Sequence, residues 1–321
     1  MRLQGKGLNL TGQLLLLSAT IVWGSSFIIL KETIANLPAL YVIGVRFLSS
    51  AILLGVFFFG KIKRINKSTF LGGVLLGAVL SLAYITQTKG LEFIGAGKNA
   101  FITSLYCVMV PFMLWLTFGV KPKSYNILSA VLCVGGIGLV ALAGTEEEGT
   151  NVFLGCALTF VCAIFYALQI VVTGRLHEKK CDVMQLLIVQ LFSTGVIISL
   201  CSLAFELPFC GIESYAINLD QFYRILYLTL VCTLYAQLAQ IVGIKFTEPN
   251  QAAIILTLEA VFGVVFAIIL GNEQITPLLW AGFAVIFVGT LISELHIDIF
   301  KIFTSKSKKS KGKESASEEL E

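Results

Sequence analysis

The chain has 321 residues, 57% hydrophobic and 13% charged, with a net charge of +4 at pH 7 and a mean hydropathy of +0.89. Such values exclude an ordinary soluble domain and a disordered chain, and no nucleic-acid partner is expected. The lipid bilayer itself is the first partner they imply.

A hydrocarbon core of ~30 Å takes about 20 apolar residues per helix. Ten stretches of that order follow one another, at 11–31, 38–59, 69–90, 98–118 and 124–143, then 152–174, 183–205, 222–244, 250–270 and 275–295. The first is followed by nine others and lacks a small-residue cleavage site, so it reads as a retained helix. The third to fifth stretches match the eighth to tenth at an offset of 153, without a gap. Gln87, Gly90, Ala100 and Gly136 lie over Gln240, Gly243, Ala253 and Gly289, with Tyr84 over Gln237, Ser104 over Thr257 and Tyr106 over Glu259. In the second stretch Pro38 and Arg46 lie over Asp182 and Gln190 at an offset of 144, and in the first Trp23 lies over Phe165 at 142.

The expected fold is therefore an all-α membrane protein of ten transmembrane helices, built as repeats at 11–143 and 152–295. An odd number of crossings per repeat turns the second copy upside down relative to the first, the scaffold of many alternating-access carriers. Residues 301–321, a Lys/Ser/Glu mixture without apolar period, are expected to be a disordered cytoplasmic tail.

Lysine and arginine set the orientation. With the N-terminus inside, the inner side holds Arg2, Lys6, Lys61, Lys63, Arg64, Lys67, Lys121, Lys123, Arg175, Lys179, Lys180, Lys245 and the basic tail. The outer side holds Lys31, Lys89, Lys98 and Arg224. Both termini are expected in the cytoplasm. Of eight cysteines, six lie in apolar spans at irregular spacing, and Cys181 and Cys210 fall on opposite sides, so neither zinc pair nor disulfide framework is implied. The two histidines, His177 and His296, stand far apart, and no HExxH or nucleophile elbow is present. Gly95-Ala96-Gly97-Lys98-Asn99 has the end of a phosphate loop without its first glycine or its Ser/Thr. No enzyme activity, cofactor or metal is expected.

Polar groups in lipid need a partner, a cavity or an escape to the interface. Glu259 lies about nine residues into its helix, roughly 14 Å deep. It is either a carboxylate coupled to protons or substrate, or a structural one bonded to its neighbours. Arg46 lies about eight residues in, roughly 12 Å deep, where it can snorkel, pair with Glu259, or meet a substrate carboxylate. Tyr84 with Gln87, and Gln237 with Gln240, each share a helix face at a spacing of three. Such stripes either join helices or line a wet path; measured interhelical bonds are worth well under ~1 kcal/mol, which favours the path. Gln169 and Gln190 are weaker candidates for the same lining, and Trp23 and Tyr106 are aromatic ones. Lys89 and Lys98 read as interfacial anchors. Gly73, Gly77, Gly135, Gly136 and Gly138 read as sites of close helix contact, and Pro111 as a kink.

Trp23-Gly24-Ser25-Ser26-Phe27 resembles the opening motif of the EamA-type drug/metabolite transporters. So do Pro38 with Arg46-Phe47, Leu258-Glu259-Ala260-Val261-Phe262, Glu273, and Gly282 with Gly289, in order along residues 11–295. The fourth span departs from the family pattern, with Tyr106-Cys107-Val108-Met109-Val110-Pro111-Phe112, and no acid follows it. The resemblance implies an inverted ten-helix bundle with a midplane cavity lined by the first, third, fourth, sixth, eighth and ninth spans. It further implies passage of small polar metabolites such as amino acids, commonly outward, across a bacterial cytoplasmic membrane. Coupling to protons through Glu259 and simple passage along the substrate gradient both remain open. So do import of a vitamin or amine, a non-transporting sensor on the same fold, and a monomeric or homodimeric state.

Overall fold

The computed structural model describes residues 6–143, 151–179 and 181–295. No water serves the backbone inside a bilayer, so each crossing segment must satisfy its own N–H and C=O groups, as helices do. The membrane helices are α1 Lys6–Ile34, α2 Ala39–Phe57, α3 Lys67–Leu91, α4 Ala96–Phe118 and α5 Ser124–Leu142, then α6 Val152–Glu178, α7 Val183–Phe205, α8 Leu219–Phe246, α9 Pro249–Ile269 and α10 Pro277–Glu294. Among the described residues nine are long and apolar enough to cross a membrane, and α9 adds the shorter apolar run Ile254–Ile269. No strand occurs among them. The expected tail at 301–321 lies outside the described residues, as do Arg2, Lys180 and His296.

Local chemistry fixes several helix starts. Asn66, Asp182, Asn218 and Thr276 accept backbone N–H groups of the first turns of α3, α7, α8 and α10. Asn218 and Gln221 form a reciprocal capping box, which starts α8 three residues before its expected boundary. The bundle has a terminal end, where α1 begins and α10 ends, and a far end opposite.

Helix pairing runs between the halves. α1 lies on α8 and α9, α6 on α3 and α4, α2 on α7, α5 on α10, and α4 on α9. The repeat exchanges these pairs: α1 on α8 mirrors α6 on α3. Small residues permit the contacts. A Cβ on Gly24 would stand 2.5 Å from Phe262 Cβ, so the WGSSF and LEAVF segments need each other's shape. Gly136 faces the Gly282 carbonyl and Gly282 the Gly136 carbonyl, while Ser129 Oγ donates to Gly289 O at 2.6 Å. Gly73 and Gly77 seat α3 on α7 as expected, but Gly135 and Gly138 face open space. On a helix of 3.6 residues per turn, their neighbour Gly136 takes the contact face alone.

Two irregularities break the repeat. α8 carries a π-helical segment, Leu228–Tyr235, where the matching part of α3 is α-helical. α4 is interrupted at Ser104–Leu105, between Ala96–Thr103 and Tyr106–Phe118, whereas α9 is continuous. Pro111 therefore sits inside the second segment of α4, and the break lies upstream of it. There Ser104 Oγ donates to Phe101 O at 2.7 Å, an alternative partner to the helix ladder.

The far end is closed by carboxylates. Glu206 accepts from the Leu40 and Tyr41 N–H groups at the start of α2, from Ser202 Oγ, and from Lys89 at 3.5 Å. Glu273 accepts from the Ala96 and Gly97 N–H groups at the start of α4 and pairs with Lys31 at 3.5 Å. Arg224 bridges Glu32 and Asp220. Two expectations change here. Lys89 is half-buried in ion pairs with Glu92 and Glu206, and Lys98 is 2% exposed and donates to Ala143 O at 3.1 Å. Carbonyl and carboxylate oxygens of the protein take up both ammonium groups. At the terminal end Lys61 and Asp182 pair at 2.6 Å across the α2 and α7 ends. Partial burial raises the Asp182 pKa, but Lys61 and the Gln185 and Met184 N–H groups outweigh it and hold the carboxyl below its ordinary range.

Candidate functional site

Between the halves lies a cavity of about 430 Å³. Trp23, Arg46, Tyr84, Gln87, Tyr106, Gln169, Gln237, Gln240 and Glu259 all line it, with Gln190. They arrive from α1, α2, α3, α4, α6, α7, α8 and α9, so the cavity belongs to both repeats. It stops below the far end at Leu30, Leu91 and Asn99, all buried. Toward the terminal end it reaches half-buried Val183 and Ile244, which is 48% exposed. The opening is therefore at the terminal end.

The polar wall of the cavity divides into an engaged part and a free part. In the engaged part, Gln87 Nε2 donates to Thr103 Oγ1 at 3.1 Å and Tyr166 O–H to Gln87 Oε1 at 3.4 Å. Asn99 Nδ2 donates to Gln87 O and to Thr159 Oγ1. These bonds tie α3, α4 and α6 together beneath the far-end closure. In the free part, the side chains of Gln169, Gln190, Gln237, Gln240 and Glu259 have no hydrogen-bond partner among the described residues. An amide or carboxylate buried without a partner costs several kcal/mol in an apolar medium, ~2–7 by transfer scales. Gln190 is buried and the other four are half-buried against the cavity, so their polar atoms are served by water or a polar guest there.

Arg46 is 2% exposed and takes neither of its expected protein routes, the interface or Glu259. Its Nε donates to Thr233 Oγ1 at 2.7 Å, and Thr233 in turn donates to Leu228 O at 2.9 Å. Its guanidinium carbon lies 5.5 Å from the Phe47 ring centre and 5.6 Å from that of Tyr84. Among the described residues it makes no ion pair, so an anionic group entering the cavity would meet a cation whose planar fork is not already filled by a carboxylate. Trp23 Nε1 donates to Cys232 O at 2.9 Å, one residue from Thr233. Ser50 Oγ reaches Thr229 O at 3.4 Å. Trp23, Arg46 and Ser50 thus grip the π-helical segment, whose widened turn leaves backbone and hydroxyl oxygens for outside donors.

An aromatic row runs along the wall. Phe47 packs on Tyr84 with ring centres 4.6 Å apart, Tyr84 on Tyr166 at 5.7 Å, and Tyr166 near Tyr106 at 6.1 Å. Tyr166, Thr103 and Asn99 line the cavity and escaped the sequence reading, as did Thr233, the buried partner of Arg46. Tyr166 was within reach: it is three residues from Gln169 and so on the same face. Thr233 was not, because only a π-helical turn places its hydroxyl under Arg46.

The EamA-like transporter family model matches residues 10–142 and again 153–295. The chain belongs to that family. It is 25% identical over 279 residues to an uncharacterized transporter of Archaeoglobus fulgidus, covering 86% of this chain and 83% of that protein. It is 25% identical over 305 residues to a protein of Escherichia coli (strain K12) named "Probable amino-acid metabolite efflux pump", covering 92% of this chain and 97% of that one. It is 23% identical over 285 residues to the uncharacterized inner membrane transporter YedA of the same strain, covering 87% and 89%. A solved crystal structure shares the fold with a TM-score of 0.61 at 13% identity, covering 88% of this chain and 96% of that one. The two EamA repeats thus form one multi-pass membrane transporter of ten helices.

Proposed function

We propose that this transporter is a secondary carrier that exports small polar metabolites such as amino acids by alternating access. The five partnerless polar side chains on a cavity open at one end carry this reading. The cavity is the substrate site in a state that faces the terminal end, and rocking of the two repeats exposes it to the far end. Arg46 receives an anionic group, the free glutamines receive neutral donors and acceptors, and Tyr84, Tyr106 and Trp23 flank the apolar part. Glu259 is the group through which a proton is exchanged. The lysine and arginine distribution supports a cytoplasmic terminal end, with both chain ends, in a bacterial cell.

Purified protein in liposomes, tested with radiolabelled amino acids with and without a pH gradient, decides the matter. Saturable flux of one amino-acid class is expected, enhanced by the gradient. Flux of a vitamin or amine instead would make the protein a carrier of another substrate. No flux of any metabolite class would make it a sensor on a carrier fold.

A further inference from the structure

A second concavity, outside the central cavity, lies on the membrane-facing surface. A furrow of about 700 Å³ runs between α2, α3 and α7 at the terminal end, walled by Ile52, Val56, Phe59, Phe70, Val189 and Phe192. Val56 is 70% exposed and Ile52 60%, so the furrow opens to the surroundings. Phe192 stands nine residues beyond the start of α7, about 13 Å at ~1.5 Å per residue. That is close to half of a ~30 Å hydrocarbon core, hence to the depth of one leaflet.

The mouth of the furrow is cationic. Lys67 lines it, the Lys63 ammonium sits 4.8 Å from the centre of the Phe59 ring, and Arg64 is exposed beside them. Lys61, the fourth cation of this connection, is already held by Asp182. Among the described residues no carboxylate pairs with Lys63, Arg64 or Lys67. The repeat does not impose this charge: the corresponding α7–α8 connection, residues 206–218, carries Glu206 and Glu213 and neither lysine nor arginine.

We propose that the furrow holds one anionic phospholipid, with an acyl chain along Val56, Phe70 and Phe192 and its phosphate on Lys63, Arg64 and Lys67. The apolar channel one leaflet deep selects the chain, and the three unpaired cations at its mouth select the charge. A bound lipid there lies along the α2–α7 contact and so touches both repeats.

The test measures lipid retained by the full chain in neutral detergent, by native mass spectrometry, after titration with phosphatidylglycerol or phosphatidylcholine. One phosphatidylglycerol per protein is expected to stay bound under conditions that strip phosphatidylcholine. K63Q/K67Q should weaken it by roughly tenfold or more, and Val56→Trp, which fills the furrow and leaves the cations in place, should weaken it likewise. K121Q/K123Q, on another connection at the same end, should leave it unchanged. Equal retention of the two lipids overturns the proposal. So does retention unaffected by either furrow variant, or a loss in K121Q/K123Q as large as in K63Q/K67Q. Unchanged thermal unfolding in lipid-free detergent separates loss of binding from loss of fold.

Discussion

α3 and α8 occupy equivalent places in the two repeats, and each presents polar side chains to the same cavity, Tyr84 and Gln87 against Gln237 and Gln240. Their backbones differ. α3 is α-helical throughout, whereas α8 widens to a π-helix over Leu228–Tyr235. Two of the three groups that grip the widened turn, Arg46 and Trp23, are changed on the other side, and so are the residues that accept from them. Arg46 corresponds to Gln190, Thr233 to Leu80, Cys232 to Val79 and Trp23 to Phe165. A shared feature survives: Thr194 Oγ1 donates to Gly77 O on α3, as Ser50 does to Thr229 O on α8. The repeat therefore supplies the scaffold and its hydroxyl stitches. The first half adds a cation on α2, and the second half adds its acceptor and the irregular turn that carries it.

The largest test copies one half into the other. Arg46→Gln, which installs the second-half counterpart, should lower transport of an anionic or zwitterionic substrate by about ten- to a hundredfold. That corresponds to ~1.5–3 kcal/mol for a hydrogen bond to a charged group. Flux in liposomes is the measurement, and an unchanged KM would separate Arg46 from the substrate. Glu259→Gln should abolish the stimulation of flux by a pH gradient and leave downhill flux in place. Equal stimulation in the variant and the parent would assign coupling elsewhere.

A smaller effect is expected from Thr233→Val, which keeps shape and removes the acceptor of Arg46 Nε. An unsatisfied buried donor costs ~1–3 kcal/mol, visible as a lower melting temperature and a several-fold slower flux. R46Q/T233V should then cost less than the sum of its parts. Gly136→Val and Gly282→Val should each destabilise by ~1–3 kcal/mol through overpacking, and by similar amounts, because the two glycines face each other. Unequal losses would show that the α5–α10 contact is not symmetric in solution. Least of all, Asp182→Asn should matter little near neutrality, since both partners of the Lys61 pair are solvent-exposed. The Asp182 pKa is lowered on folding, so its contribution is present above its unfolded value, near 3.8, and disappears as the pH falls below that. Thermal unfolding across pH 3 to 6 checks the sign.

Periodic hydropathy made the ten spans legible, because each needs only apolar length. The cavity candidates were legible for a related reason: Arg46, Glu259 and the glutamines are costly in lipid wherever they lack a wet neighbour. Partnerships were harder to read. Whether Arg46 meets Glu259 or Thr233 depends on the turn geometry of α8, and no residue in Leu228–Tyr235 announces a π-helix. Lys98 looked like an interfacial anchor because its partner oxygen, on Ala143, is 45 residues away in sequence. Gly135, Gly136 and Gly138 are alike by composition, and only the facing helix α10 distinguishes them.

The carboxylates at the far end have a cost that falls on motion. Glu206 and Glu273 satisfy the first N–H groups of α2 and α4, and those groups have no intrahelical acceptor of their own. Parting the far end strips two helices of their caps unless water arrives at the same moment. On the carrier reading proposed above, these caps favour a resting state with that end shut, which would keep the bilayer sealed while the cavity is empty.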